Sequence, residues 1–245
     1  EYELNDDSGA LIAEARIDRY VTEDKIVYKS RRHDYAPYGF ASYEKNVFLK
    51  RNGSRFLRSR VKASGQRGMK KLVLVDMRSG EMDYLYYEHP RFFVMDRSDI
   101  PAGSLEFSPD SIVSFMPLMD KYDYWNKGTQ YFDVVIPLDE PVAPVISRLE
   151  VLYEGGRYIS VSGKKTEADS FRVSGGHIND IILYMSRYSR DILVVELADG
   201  TQYVLERSMD DPVKRITVFA ERACDMFMSM KAGLNVPSKV PGRDF

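Results

Sequence analysis

The sequence predicts a mainly β protein: one strongly curved antiparallel sheet, a short helical plug inside it and a helix near the C-terminus. Three observations carry that expectation. Most segments alternate apolar and polar side chains with period two and are rich in β-branched and aromatic residues. Several are separated by hairpin signals: "RNGS" at 51–54, "RSGE" at 78–81, "EGGR" at 154–157 and "ADGT" at 198–201. Strands do not alternate with helices, and neither GxGxxG nor GxxxxGK[ST] occurs, which argues against a doubly wound nucleotide fold.

In chain order, strands are expected near 10–20, 24–34, 42–50, 55–62, 70–77, 81–88 and 91–95, then near 130–136, 146–153, 157–163, 168–174, 178–185, 190–197 and 201–206. A sheet with this many strands must curl, split or close. Between the two strand-rich halves lies "SPDSIVSFMPLMDKYDYWNKG", residues 108–128. Ser108 suits an N-cap and Pro109 the first turn. Ile112, Phe115, Met116 and Met119 then share one apolar face, and Pro117 makes the helix kink or end after about two turns. The predicted plug, 108–120, covers the concave side of the sheet, and the aromatic, polar stretch after it, with Trp125, reads as a rim loop. Near the C-terminus, Asp211 and Pro212 open a predicted helix over 211–232 with Ile216, Phe219, Ala220, Ala223, Phe227 and Met230 at helical spacing, although Ile216, Val218 and Ala220 also alternate as a strand. Gly233 ends the helix and 234–245, with two prolines, is an extended tail. The whole chain is read as a single β-rich domain, 1–245.

Hydrophobic residues make up 44 % and charged residues 29 % of the 245 residues, the composition of a globular chain, and no apolar run is long enough for a transmembrane helix. The single cysteine, Cys224, excludes an internal disulfide, and His33, His89 and His177 are scattered without metal-binding spacing; no cofactor and no metal are expected. The chain opens on Glu1 rather than Met, for which a removed export signal is one natural reason. Net charge is −2, yet Lys50 to Lys71 holds nine basic residues and no acidic one. Such a block is usually solvated surface. On a strand, however, Arg58, Arg60 and Lys62 fall on one face and could meet an anionic head group; nucleic acid is not expected as a partner, given the slightly acidic balance.

The best local grouping of residue types for nucleophilic catalysis is His177, Asp180 and Ser186, without the GxSxG turn. Asp110 reads as a charge at a helix N-terminus, Asp120 and Asp123 as rim solvation, and Cys224 as a small buried hydrophobe. No catalytic residue is expected and the protein is not read as an enzyme. Tyr84 and Tyr86 share one strand face, as sheet core or as a stacking surface.

Four stretches, "SPDSIVSFMPLM", "KGTQYFDVVIP", "SRLEVLYEGGRYISV" and "DIILYMSRYSRDILVVELADGTQYVLE", resemble a bacterial family of exported proteins of unknown function. The resemblance covers roughly residues 105–207 and rests on Asp110, Ser114, Gly128, Pro137, Tyr184, Ser186, Arg190, Val194, Gly200 and Leu205. Tyr184 stands where the family usually has Trp, and Ile192 and Leu193 where it has a proline. Members are similar in shape to the periplasmic lipoprotein carrier LolA, a curved half-barrel clasping a helical plug. The resemblance implies a periplasmic or outer-membrane-associated protein that handles envelope lipids or polymers. The resulting expectation is a carrier in which Phe115, Met116, Met119, Tyr84, Tyr86 and Trp125 meet the apolar part of an amphipathic or lipid-like ligand, while Arg58, Arg60 and Lys62 meet its anionic head. An envelope protein that holds a protein partner is the alternative, an envelope hydrolase a third reading, and peripheral membrane contact is compatible with either of the first two.

Overall fold

Alternation along the chain is realised as strands throughout the first half: β1 (Tyr2–Asn5), β2 (Leu11–Val21), β3 (Lys25–Asp34), β4 (Phe40–Lys50), β5 (Phe56–Gly65), β6 (Lys70–Met77), β7 (Glu81–His89) and β8 (Phe92–Asp99). The second half adds β9 (Leu105–Glu106), β10 (Thr129–Ile136), β11 (Val145–Val161), β12 (Lys164–Gly175), β13 (Ile178–Ser186), β14 (Ile192–Glu196) and β15 (Gln202–Leu205). This is a computed structural model, and it describes residues 1–35, 40–51, 56–65, 70–89, 92–138 and 142–206. They belong to one compact unit, Glu1–Glu206. The expected C-terminal helix at 211–232, the tail at 234–245 and Cys224 lie outside the described residues, as does most of the "RNGS" turn.

All fifteen strands form one sheet in the order β8-β7-β6-β5-β4-β3-β2-β1-β15-β14-β13-β12-β11-β10-β9. Neighbours are antiparallel except β9 and β10, which run parallel. The sheet is curved and unclosed: β8 and β9 are its two ends and do not pair with each other. It bends far enough that Lys45 on β4 reaches Glu106 on β9.

Two expected turns form as read. Gly80 and Gly200 adopt positive φ in the β6–β7 and β14–β15 connections. The "EGGR" hairpin does not form. Residues 146–163 are not two strands but mostly one, β11, which runs through Gly155 and Gly156 with a bulge where the register against β12 shifts between Tyr153 and Gly155. Gly155, at φ 114, takes a conformation closed to other residues, so here glycine marks a bulge and not a turn. The chain reverses instead at Ser162 and Gly163, both left-handed at φ 47 and 76, the geometry of a two-residue hairpin loop. β1, which alternates over only four residues, and β9, with only two, were not expected.

The plug is a 3-10 turn (Ile112–Ser114) running into α1 (Phe115–Lys121). Ser108 is not its cap. The helix starts later, and Pro117 lies in the first turn of α1, where its missing N–H costs no helical bond. Phe115, Leu118 and Met119 are buried among the inward residues of the sheet, with Phe107 edge-on to Phe115 at 5.0 Å between ring centroids. Tyrosines from distant strands hold the plug by its polar atoms. Tyr28 of β3 donates to the Asp120 carboxylate, and Tyr203 of β15 donates to the Asp110 carbonyl, which also accepts from Arg32 at 3.3 Å.

Where the plug meets β4 and β9, the core contains charge. Lys45 has no accessible surface; its Nζ pairs with Glu106 Oε1 at 2.8 Å and donates to Ser108 Oγ at 2.9 Å and Ser114 Oγ at 2.8 Å. Ser108 Oγ donates in turn to Glu106 Oε1 at 2.7 Å.

Candidate functional site

Period-two alternation sends every second side chain of a strand outward. On β5 the outward set is Arg58, Arg60 and Lys62, all exposed as expected, with Ser59, Val61 and Ala63 buried beneath them. The register supplies their neighbours. Lys62 lies across from Leu72 of β6, then Tyr87 of β7, then Phe93 of β8; Arg60 heads a second row of Leu74, Leu85 and Met95. Six apolar side chains thus occupy adjacent positions on the outer face. Those nearest the edge are the most exposed, Phe93 at 61 % and Met95 at 70 %.

Charge around this patch is uneven. A third row, Arg58, Asp76, Asp83 and Arg97, neutralises itself: Arg58 pairs with Asp76, and Arg97 with Asp83 at 2.7 Å. Arg60 and Lys62 pair with no carboxylate among the described residues. Glu44, opposite Lys62 on β4, turns to Lys29 at 3.4 Å and Arg31 at 3.7 Å. The patch is therefore bounded by an open cationic side and a neutral one. A depression of about 700 Å3 opens at the neutral side, where Leu74, Leu85 and Met95 meet Arg58, Asp76, Asp83, Asp96 and Arg97; Arg60 and Lys62 do not line it.

The inward candidates lie elsewhere. Tyr84 and Tyr86 are buried on the opposite face of β7, beneath the patch, with the Lys71 ammonium 5.1 Å from the Tyr86 ring centre. Phe115 has no accessible surface, so no space large enough for a water molecule adjoins it; Met119 is buried and Met116 half-buried against the same core. Trp125 stands in the loop after α1, 78 % exposed, in a turn that Asp123 organises by accepting from the Trp125 and Asn126 backbone N–H groups. The structure thus brings Arg60 and Lys62 together with side chains not singled out from the sequence, Leu72, Leu74, Leu85, Tyr87, Phe93 and Met95. Their outward parity was legible, but their adjacency depends on register.

His177, Asp180 and Ser186 do not converge. Asp180 and Ser186 stand at opposite ends of β13, about 20 Å apart at strand rise. Asp180 pairs with Arg172 at 3.1 Å, and Ser186 Oγ accepts from the Ser189 N–H at 3.2 Å. Among the described residues, no helix is long and apolar enough to cross a membrane, and no cluster of His, Cys, Asp and Glu is arranged to hold a metal ion.

No family model matches the chain, and no curated protein matches it. Among solved structures, it is similar to a β-barrel-like protein of a domain of unknown function, DUF1849, from Brucella abortus, at 12 % identity and a TM-score of 0.52 over 82 % of this chain and 92 % of that one. The likeness is one of fold: a mainly β, barrel-like sheet.

Proposed function

We propose that the protein is a non-enzymatic binding protein for an amphipathic ligand with an anionic head, held on the outer face of β5–β8. One observation carries this reading: six adjacent outward apolar side chains border Arg60 and Lys62, two cations without a carboxylate partner among the described residues. Each methylene removed from water contributes about 0.8 kcal/mol, whereas a cation near an anionic surface contributes about 1 kcal/mol. The apolar part of the ligand therefore supplies most of the affinity, and the cations set its orientation. Phe115, Met119, Tyr84 and Tyr86 support the sheet from inside, and the filled surroundings of Phe115 favour an outer site over an internal one. The scattering of His177, Asp180 and Ser186 supports a role without catalysis. We place that role in the periplasm or at the outer membrane, a reading that rests on the resemblance of residues 105–207 to exported proteins with LolA-like half-barrels. The edge of β8, which pairs with no further strand among the described residues, favours a second reading, assembly with a protein partner.

Isothermal titration of the full chain with lysophosphatidylglycerol, below its micelle-forming concentration, tests the ligand reading. Saturable binding is expected, weaker for the zwitterionic lysophosphatidylcholine. The pair Arg60→Glu and Lys62→Glu, or the pair Phe93→Ser and Met95→Ser, should each weaken it about tenfold or more, the equivalent of about 1.4 kcal/mol. Absence of binding, or binding indifferent to both double variants, overturns the proposal.

A further inference from the structure

The two ends of the sheet are finished differently. At one end, β9 has only two residues, Leu105 and Glu106, both buried. At the other, β8 runs from Phe92 to Asp99 with no strand beyond it among those described. Natural edge strands are usually protected by shortness, a bulge, proline, charged side chains or a covering segment. β8 is not short, its register against β7 is unbroken and it contains no proline; its only such device is charge, with Asp96 on the inward parity opposite Tyr84 and Arg97 and Asp99 on the outward one. Its neighbour β7 buries Met82, Tyr84 and Tyr86, whereas Phe93, Val94, Met95, Asp96, Arg97 and Ser98 all retain accessible surface.

We infer that β8 pairs with β8 of a second copy of this chain, antiparallel about a two-fold axis at Met95, extending the sheet across the dimer. This goes beyond the ligand reading and stands independently of it. A two-fold axis perpendicular to the sheet keeps outward residues opposite outward ones, so the axis must pass through a residue position. Two such positions give the longest overlap of β8 with itself, Met95 and Asp96. Centring on Asp96 sets two carboxylates directly opposite, which is destabilising. Centring on Met95 places Met95 against its own copy, Phe93 against the partner's Arg97, and Val94 against the partner's Asp96. No like charges then face each other, and the arginine lies beside an aromatic ring. The main-chain hydrogen bonds of an added strand supply affinity, as in other strand additions. The dimer also joins the two outer patches across the axis.

Cross-linking reads the register directly. Directly opposed residues of an antiparallel pair have Cα atoms about 4.5–5.5 Å apart, within the span a disulfide bridges. In the full chain carrying Cys224→Ser, Met95→Cys should form a covalent dimer under mild oxidation. Phe93→Cys and Arg97→Cys should each remain largely uncrosslinked alone and form a heterodimer when mixed. Light scattering of the native chain should give a dimer mass at high concentration, and Met95→Asp should return it to monomer while its circular dichroism is unchanged. A monomer mass at every concentration, or self-cross-linking of Phe93→Cys as ready as that of Met95→Cys, overturns the inference.

Discussion

Lys45 is enclosed by three acceptors, Glu106 Oε1, Ser108 Oγ and Ser114 Oγ, each within 2.9 Å. One side chain thereby ties β4, the sheet end at β9 and the 3-10 turn before α1 into a single polar junction inside an apolar core. Burying an ammonium and a carboxylate costs more than their attraction returns unless the remaining protons and lone pairs find partners. Here the two serines take up that requirement, although Glu106 Oε2 has no hydrogen-bond partner among the described residues. Removing one charge strands the other. Lys45→Met should cost about 3–5 kcal/mol of unfolding free energy, while Lys45→Met with Glu106→Gln should recover much of that loss. Urea titrations of the two variants measure the difference, and equal losses in both would show that the charges do not act as a pair.

At the scale of elements, the connections decide the topology. Because Ser162 and Gly163 both have positive φ, Asn at 162 should suit the loop better than Ser. Ser162→Asn is expected to raise stability by about 0.5 kcal/mol or more, read as a higher melting temperature; a lower one would mean that the Ser162 hydroxyl bond to the Leu205 carbonyl, at 3.3 Å, matters more than backbone preference. The same loop marks where sequence reading stopped. "EGGR" carries the stronger glycine signal, yet the chain turns at "SG", because strand pairing across β11 and β12 overrides local composition. β2 to β8 were legible because long alternating runs have one consistent solution; two-residue β9 left no pattern to read. Half of the candidate site was visible in the same way: Arg58, Arg60 and Lys62 share a face by parity alone. Phe93 and Met95 became their companions only through the register of three strand pairs, which a single sequence does not fix.

Across the whole molecule, three buried tyrosines link remote parts of the sheet and plug. Tyr2 donates to the Ile192 carbonyl at 3.0 Å, Tyr28 to Asp120 and Tyr203 to the Asp110 carbonyl. Burial pushes all three hydroxyls well above the ordinary tyrosine range; Asp191 reinforces it at Tyr2 and Asp120 at Tyr28, while at Tyr203 Arg32 opposes it and Asp110 and Asp34 reinforce it. The folded chain keeps these protons, while the unfolded chain releases them near pH 10. Their contribution is complete below that pH and is lost as pH rises through it, since the unfolded state then binds fewer protons than the native one. Urea midpoints should fall steeply above about pH 10, and Tyr28→Phe should make the fall shallower. A flat profile would mean that these hydroxyls ionise as easily in the folded protein as in the unfolded one.

Every pair of adjacent strands in the sheet is also adjacent in sequence, except one: β1 sits between β2 and β15. During synthesis, β2 to β8 can zip together by local closures as they emerge, each needing only a short loop. β1 can join β2 early, but its other side waits for Gln202 to Leu205, almost the full length of the unit later. The eventual middle of the sheet is therefore a free edge until the last strand of the unit has been made. Joining partners this far apart costs entropy that grows only slowly with loop length, yet non-local pairings of this kind are the slow ones. Completion of the fold is a late event, timed by the arrival of one short strand.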